Sequence, residues 1–140
     1  MTTQAQIFEF PLMIRESHVD TLGHMNNATY LEIFEDARWD LVSRNGFGLK
    51  DIHQKQMSPI ILEIHIKFLK EVKARTNVIV KTQSVEFKGK VGKLRQTLEF
   101  AETGVVAADA DVVYGIFDLK TRRLIPPPPD WFKAIGQEQS

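Results

Sequence analysis

Between Ser17 and Asp40 the chain reads SHVDTLGHMNNATYLEIFEDARWD, and a carboxylate, two histidines and two adjacent asparagines fall within its first eleven positions. Asp20 is the residue with the most chemistry available to it. A carboxylate can attack a carbonyl carbon directly, forming a mixed anhydride, or take a proton from a water that attacks instead. The residues that follow have helical spacing. The backbone N–H groups of such a helix near Asn27 have no partner inside it and carry partial positive charge. An oxyanion developing there is stabilised, and removing a donor of this kind costs about 3–4 kcal/mol. Asp20 on one side and the Asn27 amide on the other outline an acyl-transfer site. The plainer reading is a turn aspartate whose side chain bonds its own backbone. The spacing alone leaves both open.

The neighbouring residues divide in the same way. Ser17, His18 and Asp20 have the residue types of a hydrolytic triad, but neighbours in an extended segment point to alternate sides, and no G-x-S-x-G elbow occurs. His18 and Asp20 share a side if the segment stays extended, so His18 could orient Asp20. His24 is either a loop hydrogen-bonding residue or a proton carrier. As a metal pair, Asp20 and His24 lack the helical i, i+4 framework, and no metal site is expected. Glu35 is a rival carboxylate if its helix face meets a second subunit. His65, Asp109 and Asp111 fit the wet faces of strands. Lys88, Lys90, Lys93 and Arg95 surround a glycine-bearing turn; such a hairpin is either solvated or the place where a phosphorylated substrate rests. Without a GxxxxGK[ST] loop an ATP or GTP enzyme is not expected.

Composition narrows the field. Lysine plus arginine equals aspartate plus glutamate at 18 each, so no overall basic field argues for nucleic acid. No cysteine is present, which excludes disulfides, thiol catalysis and thiolate metal sites and fits a cytoplasmic address. The start MTTQAQIFEF does not resemble a signal peptide, and no apolar run approaches the roughly 20 residues of a membrane helix, so no membrane partner is expected.

The elements must position Asp20 and Asn27. Ile7–Arg15 is β-prone but interrupted by Pro11, which predicts an edge strand or a bulge. Tyr30, Phe34, Ala37 and Leu41 recur at helical spacing, widened by Leu31 and Val42. Asn26 or Asn27 is the expected N-cap and Gly46 the residue past the C-terminus, giving a helix of about 19 residues, near 28 Å. Trp39 falls opposite the stripe, covered either by a strand end or by another subunit. Ile60–Lys70, Val78–Phe87, Lys93–Phe100 and Val105–Asp118 alternate with period two and are joined by short turns, as in antiparallel hairpins. Pro126 to Pro129 predict an extended tail, with Asp130, Trp131 and Phe132 clipping it to the body. One long central helix wrapped by a curved antiparallel sheet of about five strands is an α+β arrangement, the hot-dog architecture, here as a single domain over residues 1–140. Exposed sheet edges favour a second subunit.

The segment VDTLGHMNNATYLEIFEDARWD resembles the signature of hot-dog acyl-CoA thioesterases of the 4-hydroxybenzoyl-CoA thioesterase type, and within them the bacterial branch acting on medium- and long-chain acyl-CoA. The shared pattern falls on Asp20, His24, Asn26, Asn27, Tyr30 and Ala37-Arg38-Trp39. The resemblance implies hydrolysis of acyl-CoA without metal or organic cofactor. Asp20 would be nucleophile or base, the Asn27 backbone amide the oxyanion donor, and His24 part of the catalytic group. His18, Gly23, Asn26 and Tyr30 would support the site. It also implies a homodimer or homotetramer with the site between subunits, the acyl chain along a channel by the helix, and CoA against basic side chains such as Lys88, Lys90 and Lys93. The pattern departs at Arg75-Thr76, where many relatives carry Gly-Asp. A hot-dog protein that binds or senses acyl-CoA without hydrolysing it is the alternative.

Overall fold

In the computed structural model, which describes residues 5–137, a strand β1 (Ile7–Met13) leads through a single 3-10 turn (Glu16–His18) into the helix α1 (Asn27–Arg44). A short helix α2 (Leu49–Lys55) follows, then strands β2 (Met57–Phe68), β3 (Asn77–Lys88), β4 (Val91–Phe100) and β5 (Val106–Asp118). A three-residue strand β6 (Arg123–Ile125) and a terminal helix α3 (Pro129–Ala134) complete it. The sheet is antiparallel with order β1-β3-β4-β5-β2, and β6 pairs with the end of β5. No helix among the described residues is long and apolar enough to cross a membrane.

The strands form where period-two alternation gives one dry face. Val78, Val80, Thr82 and Ser84 of β3 are buried, as are Leu94, Gln96 and Leu98 of β4 and Ala108, Ala110, Val112 and Tyr114 of β5. The helix packs on this face through Tyr30, Ile33, Phe34, Ala37, Leu41 and Val42. Ile33 takes the place expected of Leu31, which is 39 % exposed. The opposite face of the sheet is wet and laced with ion pairs, Lys81 to Glu99 at 3.1 Å and Arg95 to Asp109 at 2.8 Å. As expected from Pro11, β1 is an edge strand, paired to β3 alone.

Several elements differ from the sequence reading. The sheet has six strands rather than five, because Arg123–Ile125 folds back on β5. β2 does not lie beside its successor β3. It crosses to the far edge and pairs with β5, with a bulge between Ile61 and Glu63. α2, with seven residues between Gly48 and the left-handed Gln56, is too short to show two helical periods in sequence. The tail is not extended throughout, since Pro129 opens α3 at the position where proline suits a helix. The clip is formed by buried Trp131, edge-on to Phe47 at 4.9 Å, and by Asp130, 3.2 Å from Lys55.

A polar network fastens α1 to the sheet. Gln96 is fully buried; its Nε2 donates to Phe34 O and Thr82 Oγ1, both at 3.0 Å, while its Oε1 accepts from Arg38 Nη1 at 2.9 Å. Replacing it with leucine strips the guanidinium of that acceptor and a buried hydroxyl of its partner. Gln96→Leu is expected to lose about 2–4 kcal/mol of stability, measured as a lower denaturant midpoint with an unchanged slope.

Candidate active site

Asp20 stands at the tip of a small hairpin. Val19 and Met25 form an isolated antiparallel bridge, and His24 bridges to Lys73. Asp20 N donates to His24 O at 3.0 Å, and Gly23 N donates to Asp20 O at 2.9 Å. Gly23 has φ +82°, the left-handed conformation that closes a three-residue loop of this kind, and its Cβ position is open, so the glycine serves the backbone rather than packing. The plain reading of Asp20 is realised in one oxygen. Oδ1 accepts from Leu22 N at 2.9 Å and from His24 N at 3.4 Å. Oδ2 has no partner among the described residues, and the side chain is exposed, so half of the carboxylate is held and half is presented.

Two residues beyond the hairpin α1 begins. Asn26 is the N-cap, its Oδ1 accepting from Ala28 N at 2.8 Å, while Thr29 N and Tyr30 N return to Asn26 O. This leaves the Asn27 N–H without an acceptor among the described residues. Asn27 lines a cavity of about 280 Å³ together with His24, Tyr30, Phe68 and Lys70. An unpaired amide at a helix N-terminus carries partial positive charge, here facing the open cavity. Tyr30 forms the inner wall. It stacks edge-on to Phe68 at 5.1 Å and donates to Lys70 O at 3.2 Å. Burial, and then the charge of Glu71, hold its phenol above the ordinary range, so it remains a donor.

His24 is brought to the same cavity, with Nε2 3.3 Å from Glu71 Oε2. His18 is not. The 3-10 turn breaks the extended run assumed for it, and His18 Nδ1 instead accepts from Arg15 N at 2.9 Å, so it makes no hydrogen bond to Asp20. Among the described residues no three His, Asp or Glu side chains could hold a metal ion. Glu35 is exposed two turns along α1 and lines a different cavity.

The lysine hairpin lies at the other end of the molecule. β1 runs from Met13 opposite Asn77 to Ile7 opposite Gln83, so the Asp20 hairpin leaves the sheet at the Asn77 end. Lys88 and Lys90 flank the far end of β3, about 36 Å away for eleven strand residues. Lys88 is paired with Glu86 at 3.6 Å, and Arg95 is shared between Asp109 and Asp111. The cations near Asn27 are Lys70 and Lys73 in the link after β2. The run KFLKEVKAR displayed them in sequence, but as the tail of an alternating strand they carried no separate signal.

Residues 14–135 match the family model described as the thioesterase-like superfamily. The chain is 30% identical over 115 residues to the long-chain acyl-CoA thioesterase FadM of Escherichia coli strain K12, covering 81% of this chain and 86% of that protein. It superposes with a TM-score of 0.77 on the probable thioesterase YbaW of Escherichia coli, at 26% identity over 92% of this chain and 96% of that one. A Staphylococcus aureus protein solved in complex with CoA shares the fold with a TM-score of 0.87, at 22% identity over 100% of this chain and 91% of that one. With nearly its whole described length matched, its long helix laid on an antiparallel sheet, the chain belongs to the thioesterase-like superfamily and has the hot-dog fold.

Proposed function

We propose that the chain hydrolyses acyl-CoA thioesters to the free carboxylic acid and CoA. The observation that carries this reading is the unpaired Asn27 N–H at the mouth of α1, beside a hairpin that presents one free oxygen of Asp20. The family and the relative named for long-chain acyl-CoA support it. As nucleophile, Asp20 attacks the thioester carbonyl; the Asn27 N–H holds the oxyanion, the CoA thiolate leaves, and water opens the anhydride. As general base, Asp20 takes a proton from a water that attacks the same carbon. His24, held by Glu71, flanks the reacting group. Gly23, Asn26 and Tyr30 fix the turn, the cap and the inner wall.

The site lies between two subunits in a cytoplasmic homodimer or homotetramer, each chain one thioesterase domain. The support is β2, an uncovered edge strand whose Ile61, Leu62 and Phe68 are 42%, 46% and 43% exposed, with Leu31 of α1 also exposed. Lys70 and Lys73 meet the CoA phosphates from the same chain, and Lys88, Lys90 and Lys93 meet them from a second copy.

The test is release of free thiol from short, long and aromatic acyl-CoA esters, with equilibrium binding measured beside it. Turnover on any of them supports the hydrolase and ranks the acyl groups. Tight binding with no release, from a folded protein, assigns the chain to acyl-CoA sensing or carriage instead.

A further inference from the structure

A second cavity, about 160 Å³, opens along α1 between the start of β2 and α3. Its walls are mainly apolar and aromatic, including Trp39, Leu94, Tyr114 and Trp131. Two polar groups in this wall hold donors that nothing among the described residues uses. Arg38 commits one guanidinium N–H to Gln96, whose own bonds to Phe34 O and Thr82 fix its position. The other N–H groups of Arg38 have no acceptor among the described residues. The Tyr114 hydroxyl, on a side chain only 1% exposed, accepts from Trp131 Nε1 at 3.0 Å. Its own O–H has no acceptor among the described residues. Spare donors converging on an apolar cavity match a ligand that brings an oxygen acceptor. Glu35 lines the same cavity and opposes a second carboxylate there, so a neutral oxygen fits better than an acid.

Resting on the thioesterase reading, we propose that this cavity seats the far end of the acyl group. There Arg38 and Tyr114 select chains bearing a hydroxyl or keto oxygen over saturated chains of equal length. Arg38 lies eleven residues beyond Asn27 on the same helix, about 16 Å along its axis. An extended chain of carbons joined by ~1.5 Å bonds advances about 1.25 Å per carbon, so the oxygen belongs roughly a dozen carbons from the thioester. A hydrogen bond from a charged donor in a dry site, against hydrocarbon that leaves it unused, corresponds to about tenfold discrimination or more.

The experiment compares kcat/KM for 12-hydroxydodecanoyl-CoA and dodecanoyl-CoA. The wild-type ratio is expected to be about ten or higher, collapsing towards one in Arg38→Met. Trp39 and Trp131 are the two tryptophans of the chain and both line the cavity. Their fluorescence therefore reports occupancy without turnover, and 12-hydroxydodecanoate should perturb it at lower concentration than dodecanoate. A wild-type ratio near or below one, or an Arg38→Met variant keeping the wild-type ratio, overturns the proposal. If neither ester is hydrolysed, the fluorescence titration decides the proposal while the wider panel of acyl-CoA esters decides the hydrolase reading: tighter binding of the hydroxylated chain sustains the cavity's selectivity, and equal binding overturns it. Should Arg38→Met not fold, Tyr114→Phe replaces it with the same expected loss of the ratio.

Discussion

Asp20→Asn is expected to fold like the wild type and to lose acyl-CoA hydrolysis by about 10²–10⁴-fold. The substitution separates the two functions of the side chain. The amide oxygen can still accept from Leu22 N and His24 N, so the turn that Oδ1 closes persists. What disappears is the negative charge on the presented side, and with it both the nucleophile and the base. Circular dichroism and the unfolding midpoint check the fold, and thiol release checks the chemistry. Full activity in a folded variant would remove Asp20 from the mechanism and pass the role to Glu35, the exposed carboxylate on α1.

Asn27→Pro tests the other half. A backbone amide cannot be deleted by ordinary side-chain exchange, but proline lacks the N–H altogether. Asn27 is the first residue of α1, where proline is well tolerated, and Asn26 already has the extended ψ of 149° that a residue before proline prefers. The Asn26 cap to Ala28 N is untouched. The expected result is an unchanged fold with kcat down about 10²–10³-fold and substrate binding largely kept, since the oxyanion exists only in the transition state. An equal rise in KM with kcat intact would mean that the amide binds the ground state, and no effect would remove it from the site.

The parts of this molecule that were legible in the sequence are those written in long periods. The helix from its Asn26 cap to Gly46 and the strands with strict alternation were readable because burial repeats over ten or more residues. The turn and cap of the candidate site were readable for a different reason: Asp20, Gly23 and Asn26 are local, each defined by hydrogen bonds within four residues. What sequence reasoning missed is long-range. Gln96 shares the inward face of Leu94 and Leu98, but its hydrogen bonds to Arg38, Phe34 and Thr82 depend on how α1 lies over it. The crossing of β2 to the far edge, and so the distance of Lys88 from Asp20, depends on pairing partners that alternation does not name. His18 was misplaced because a single 3-10 turn shifts every following side chain. Arg75 has φ +66°, so an L-residue holds a left-handed corner there, tied to Glu16 through contacts of 2.7 and 2.9 Å.

The run of β2 has one more consequence. It starts at Met57 opposite Asp118, the end of the sheet where Lys90 O lies against Gly115, and finishes at Phe68 beside the Asn27 cavity. Two copies joined along this edge by a dyad perpendicular to the sheet would set their β2 strands antiparallel, in an isologous contact. In such a pair each chain's lysine hairpin would lie on the side of its neighbour's Asn27 end, which is the arrangement that the proposed site between subunits requires.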